Sequence, residues 1–164
     1  MLRQIDRLRQ LDRWLGAPAC ALLTAWRTLA GLVRRERVQL VRRILFVKLL
    51  EQGSTVLASA AIEEAVRRVG RSNVFFLVFA ENRSILDVMG LLPRENVIAV
   101  PSDHVVPMIA GLVSAISRVR RLRIDATIDL EFLSRASAIL SFLSGARARV
   151  GLHAYSARAA IAAI

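Results

Sequence analysis

The segment Arg43-Ile-Leu-Phe-Val-Lys48, continued by Leu49-Leu-Glu-Gln-Gly-Ser-Thr55, decides how the chain folds. Its apolar run is rich in strand formers and has no polar interruption, as a central strand covered on both faces requires. A turn over Leu49 to Ser54 is expected next. From Thr55 to Val69 the apolar spacing becomes helical, through Val56, Leu57, Ala60, Ala61, Ala65 and Val69, with Glu63, Glu64, Arg67 and Arg68 opposite.

The same alternation continues downstream. Asn73 to Phe79 reads as a second strand, and Asn82 to Leu91 as a short helix stopped by Leu92-Pro93. Asn96 to Val100 is a third strand ended by Pro101. Ser102 or Asp103 can cap the next helix, which runs to about Val119 and holds Pro107 in its first turns, where a missing amide costs least. Arg118 to Arg123 forms a surface exit. Ile124 to Asp129 is a fourth strand, and Phe132 to Leu143 a helix with Leu133, Ala136, Leu140 and Leu143 inward. Ser144-Gly145 ends that helix, and Arg149 to Leu152 is a fifth strand.

A strand and a helix in every ~25 to 30 residues is the spacing of βαβ units with right-handed crossovers. The expected fold is therefore α/β, a Rossmann-like open parallel sheet of about five strands spanning residues 41–164. Ligands of such sheets collect beyond the carboxyl ends of the strands. That directs attention to 49–55, 80–83, 101–104, 129–132 and 152–155.

Composition bounds the remaining choices. The chain has 164 residues, 55% of them hydrophobic, which excludes disorder and supports one substantial core. Cys20 is the single cysteine, so neither a disulfide framework nor a thiolate metal cluster can form within one chain. The net charge of +11 is concentrated at the start: residues 1–48 hold eleven basic and three acidic side chains. Such a distribution favours contact with an anionic surface or partner through the N-terminal region.

Residues 1–40 form a basic amphipathic and apolar arm. Ile5, Leu8, Leu11 and Leu15 recur near helical spacing between arginines, Gly16-Ala-Pro18 breaks the pattern, and residues 19–33 are mostly apolar around Trp26. The thirteen uncharged residues between Arg13 and Arg27 are too few to cross a bilayer, which takes about 20. An arginine-rich helix before the apolar run also argues against a secretory signal. Two placements fit: on an anionic membrane surface, or packed on the protein itself or on a further domain. Nucleic acid is disfavoured, because long apolar stretches separate the arginines and no aromatic platform pattern accompanies them.

The loops exclude the common cofactor motifs. Leu49-Leu-Glu-Gln-Gly-Ser-Thr55 lacks both the closely spaced glycines of a dinucleotide site and the Gly-Lys-Ser/Thr of a Walker A loop. Gly53 permits a tight turn, and the amides of Gly53, Ser54 and Thr55 can face an anion. Ser54 and Thr55 otherwise serve as helix caps. Glu51 is a candidate base or acceptor-positioning group. Lys48 can neutralise a phosphate or sugar acid, or act as a strand-end surface charge. Asp129 and Glu131 can accept sugar hydroxyl hydrogens, and His104 and His153, with Tyr155, stand where binding loops are expected. No His, Asp and Glu spacing resembles a metal site.

Three segments resemble the lipopolysaccharide heptosyltransferases, glycosyltransferase family 9. They are Arg43-Ile-Leu-Phe-Val-Lys-Leu49 with Gly53-Ser-Thr-Val-Leu-Ala58, then Ile124-Asp-Ala-Thr-Ile-Asp-Leu-Glu-Phe132, then Gly145-Ala-Arg-Ala-Arg-Val-Gly-Leu-His153. The resemblance covers residues 43 to 155 in order. It implies the N-terminal, acceptor-side half of a two-domain GT-B enzyme, with a C-terminal donor-binding domain outside this chain and activity absent from this half alone. It also implies a nucleotide-diphosphate sugar as co-substrate, a glycolipid or saccharide acceptor, and action at the cytoplasmic face of the inner membrane, with no cofactor or metal. The family's Leu-Gly-Asp loop carries a carboxylate proposed as general base; the matching position here is Ser54, and Glu51 is the nearest carboxylate. Glu51 and Ser54 are thus the catalytic candidates, with Lys48, Gly53, Thr55, His104, Asp129, Glu131 and His153 expected to bind substrate. The alternative expectation is a non-catalytic, membrane-associated or partner-binding α/β domain.

Overall fold

A computed structural model describes residues 40–50, 52–131 and 134–151. Residues 1–39 of the arm, Glu51, Leu133, His153 and Tyr155 lie outside the described residues. Five strands are present: β1 (Ile44–Val47), β2 (Val74–Phe79), β3 (Val97–Val100), β4 (Ala126–Asp129) and β5 (Ala148–Gly151). All pair in parallel, in the order β3-β2-β1-β4-β5. The order reverses at β1, between β2 and β4, which is the switch point of a Rossmann-like sheet.

Helices cover both faces, and the alternating side chains of the strands sort into two cores. Leu45, Val47, Phe75, Leu77, Phe79, Ile98 and Val100 pack with Ala115 and Val119 of α4 (Val105–Leu122) and Leu140 of α5 (Arg135–Leu143). On the other face, Ile44, Phe46, Val74, Phe76, Val78 and Val97 meet Ile62 and Ala65 of α2 (Ser59–Val69) and Leu86 of α3 (Arg83–Met89). Phe46 and Phe76 stack there at 6.1 Å between ring centroids. Each side chain of β1 and β2 is buried, which explains their unbroken apolar sequences.

Several local expectations change. The helix after β1 begins at Gln52, not Thr55, as α1 (Gln52–Leu57), and a break at Ala58 separates it from α2. The Ala58 amide is shared between the carbonyls of Ser54 and Thr55, so the ladder tightens there from i−4 towards i−3. The inward face also differs: Thr55, Ile62 and Ala65 are buried, whereas Val56, Leu57, Ala60 and Ala61 are exposed. Alanines fit either face, so they give the sequence period little discrimination. Ala136 is exposed too, because Ser137, Leu140 and Ser141 form the inward side of α5.

Buried polar groups join the elements. Asn96 Nδ2 lies within hydrogen-bond distance of the carbonyls of Arg71, Ser72 and Val74, tying the turn before β3 to the start of β2. Ser144 Oγ donates to the Ser141 carbonyl at 2.6 Å and accepts from the Ala146 amide. Its single hydrogen is thus used, and Thr127 Oγ1, 3.0 Å away, is the donor of their mutual bond. At the amino edge, Asp125 Oδ2 accepts from the amides of Arg42 and Arg43 at 2.9 and 3.0 Å.

Candidate functional site

The sheet ladders run slightly beyond the strands at the switch point. Lys48 donates its amide to the Leu77 carbonyl on one side of β1, and Leu130 donates to the Val47 carbonyl on the other. The main chains then part, and a side chain takes over the connection. Glu131, just after β4, points across to β1 and uses both carboxylate oxygens there. Oε2 accepts from Lys48 Nζ at 3.1 Å, while Oε1 accepts from the amides of Leu49 and Leu50 at 2.7 and 2.6 Å. Asp129 Oδ1 accepts from the Glu131 amide at 3.0 Å and so shapes the turn that aims Glu131.

Burial makes this arrangement consequential. Lys48 is 1% exposed and Glu131 5%. A charge taken out of water needs a partner and further hydrogen bonds, and here the carboxylate has an ammonium and two amides. Two consecutive amides converging on one carboxylate oxygen form an anion-binding concavity already filled by the protein's own side chain.

The neighbouring loops are tied to the same rim. Asn82 Nδ2, after β2, donates to the Leu49 carbonyl at 2.8 Å, so the loop leaving β1 is held from the β2 side and the β4 side. Ser102 Oγ, after β3, donates to Glu81 Oε1 at 2.5 Å. The carboxyl ends of β3, β2, β1 and β4 are thereby linked in sequence.

Lys48, Asp129 and Glu131 therefore do converge, although Lys48 is a buried ion-pair partner and not a strand-end surface charge. Gly53, Ser54 and Thr55 follow immediately but lie inside α1, so Ser54 and Thr55 are not its caps. Gly53 has no left-handed backbone, and a Cβ there would meet nothing within 4 Å, so no tight turn depends on it. Thr55 is buried and Ser54 half-buried. His104 occupies the N-cap of α4 without a side-chain cap bond, where Ser102 or Asp103 was expected. It is exposed beyond β3, two strands from β1, a lateral offset of roughly 10 Å.

Sequence reasoning missed Asn82 and the clamping role of Glu131. The available signal was the pair of polar residues at the two switch-point strand ends, one cationic and one anionic. The described residues hold no group of three or more His, Cys, Asp or Glu side chains placed for a metal ion. Among them, no helix is long and apolar enough to cross a membrane.

No family model matches the chain, and neither does any curated protein. Among solved structures, it is similar to the crystal structure of a glycosyl transferase family 9 protein from Veillonella parvula DSM 2008, with a TM-score of 0.57 and 14% sequence identity. The match covers 71% of this chain and 34% of that one, so the chain corresponds to about a third of that protein's length. What the two share is the fold: a parallel α/β sheet of the Rossmann-like kind found in a family 9 glycosyltransferase.

Proposed function

We propose that this chain is the acceptor-side half of a heptosyltransferase-like enzyme, which moves a sugar from a nucleotide-diphosphate donor to a lipopolysaccharide-core or related glycolipid hydroxyl. The observation that carries the proposal is the Lys48–Glu131 clamp at the switch point, where ligands of open α/β sheets bind. It fixes the main chain of Leu49 and Leu50, through which β1 leads to the candidate residues Glu51 and Ser54.

In this reading the acceptor hydroxyl attacks the anomeric carbon while a carboxylate removes its proton. The new C–O bond forms as the bond to the diphosphate breaks, and its electron pair leaves on a phosphate oxygen, stabilised by basic groups of a donor-binding domain. Glu51 is the proton acceptor, since a serine hydroxyl at position 54 is far too weak a base unaided. Ser54, which is half-buried, orients the acceptor, while Lys48, Asp129 and Glu131 position the loop and Thr55 is part of the core beneath it.

The test is binding of a core oligosaccharide to this chain, followed by amide chemical shifts. Shifts confined to Leu49–Thr55 and Asp129–Glu131 are expected, and absence of binding by the folded chain overturns the proposal. In a polypeptide that also carries a donor domain, Glu51→Gln should lower turnover with donor affinity retained. Unchanged turnover removes Glu51 from the mechanism.

A further inference from the structure

The edge of the sheet opposite the switch-point rim, at the amino ends of β4 and β5, carries an open cleft of about 540 Å³. Three arginines line it: Arg120 and Arg123 from the C-terminal end of α4, and Arg147 from the loop before β5. Asp125, Ser144 and Gly145 lie between them. The amides of Arg147 and Ala148 both donate to the Asp125 carbonyl at 3.1 Å, which fixes Arg147 beside the start of β4.

Arginines at helix C-termini ordinarily serve the terminal carbonyls and the negative end of the helix dipole. That role is already filled here. Arg43 Nη1 donates to the carbonyl of Leu122, the last residue of α4, at 2.6 Å, and Arg120 Nε to that of Leu143, the last of α5, at 2.9 Å. Arg123 has no such task, and its guanidinium is hydrogen-bonded to none of the described residues. It also stands where another residue would fit better. As C-cap of α4 it has φ 51° and ψ 57°, the one left-handed non-glycine backbone among the described residues. Glycine takes that conformation without the clash a Cβ brings and is the usual residue at such a helix end. A long cation in a glycine position breaks a local rule, and such breaks collect at functional sites.

Magnitudes decide the sign of the cleft. The C-termini of α4 and α5 each contribute about half a negative charge. Asp125 contributes a full one, although its Oδ2 is turned to the amides of Arg42 and Arg43. Three guanidiniums exceed this total by about one positive charge, and the Arg43 side chain at the end of α4 adds another.

We propose that this cleft binds a phosphate monoester, gripped by Arg123 with Arg120 and Arg147 beside it. The paired N–H groups of a guanidinium match two phosphate oxygens, and the Leu143 bond holds Arg120 in place beforehand. The volume suits a small organic phosphate. No aromatic ring lines the cleft, so a nucleotide base would lack a stacking face, and the ester is that of a sugar or a polyol. A soluble polyol phosphate and a phosphatidic acid headgroup both present this chemistry.

The test titrates the full 164-residue chain, isotope-labelled, with glycerol phosphate against sodium chloride of equal ionic strength. Saturable amide shifts at Arg123, Asp125, Gly145 and Arg147 are expected, with Leu49, Leu50 and Glu131 unmoved. Arg123→Gly should weaken binding roughly tenfold to a hundredfold while its thermal midpoint is at least that of the parent. Retained affinity in that variant overturns the proposal, and a lowered midpoint does so by giving the arginine a structural role. Shifts equal to those of chloride, or spread over all exposed arginines, overturn it as well. Phosphatidylcholine vesicles with and without phosphatidic acid distinguish the sources. Displacement of glycerol phosphate by the acidic vesicles upholds the site with a lipid headgroup as ligand, and its persistence upholds the site with a soluble one.

Discussion

Lys48 Nζ and Glu131 Oε2 meet 3.1 Å apart inside the protein although 83 positions separate them in the chain. They bridge the two strands between which the sheet order reverses. The same carboxylate binds two amides of the loop after β1, so one side chain both compensates a buried ammonium and sets the path of the candidate acceptor loop.

Removing one partner should cost far more than removing both. Glu131→Gln removes the carboxylate that pairs with the buried Lys48 ammonium, and a loss of about 3–5 kcal/mol is expected. Lys48→Met should cost less, because the carboxylate retains two amides. In the double variant the loss should fall well below the sum of the single ones. Urea unfolding of the four proteins measures this, and additive losses would show that the two charges do not interact.

Gly111 separates two opposing effects. Alanine in a helix interior is ordinarily favoured over glycine by about 1 kcal/mol. Here a Cβ would lie 2.8 Å from Pro101 Cδ and 3.1 Å from Val100 Cγ1, at the close contact of α4 with the end of β3. Neither is the free end of a flexible chain, and overpacking of this kind costs about 1–3 kcal/mol. Gly111→Ala should thus lower the thermal midpoint, and a raised midpoint would mean that α4 moves freely from β3.

Glu64 provides the pH-dependent case. Arg67 and Arg68 both donate to its carboxylate, at 2.5 Å and 2.6 Å, and these bonds hold its pKa below the usual glutamate value. A carboxyl whose folded pKa is depressed contributes stability above its unfolded pKa and loses it as pH falls through the folded one. The contribution should be present at neutral pH, disappear in acid, and be small because solvent screens the group. A carbonyl-detected NMR titration should place the Glu64 midpoint below those of unpaired glutamates and raise it in Arg67→Ala/Arg68→Ala; an unchanged midpoint refutes the pairing.

The parallel α/β class was legible in the sequence because it rests on local periodicity. Ile44–Val47 and Val74–Phe79 are continuous apolar runs, and those are what two-sided burial demands. The helices were legible as existing, with Ser144-Gly145 marking the end of α5. Their inward faces were less so, because Ala60, Ala61 and Ala136 carry too little side chain to report which way they point. At the candidate site, Lys48, Asp129 and Glu131 could be singled out as strand-end residues. Their mutual roles could not.

By itself, then, the sequence determined strand and helix alternation, a basic arm, and loops free of dinucleotide and Walker motifs. Those follow from composition and spacing along the chain. The tertiary structure decided that β4 lies beside β1, and that placement is a matter of sheet order, which no local pattern encodes. Only there does Glu131 become the internal anion of the Leu49–Leu50 amides, and only there does Lys48, a candidate anion-binding or surface cation in the sequence, become a buried ion-pair partner.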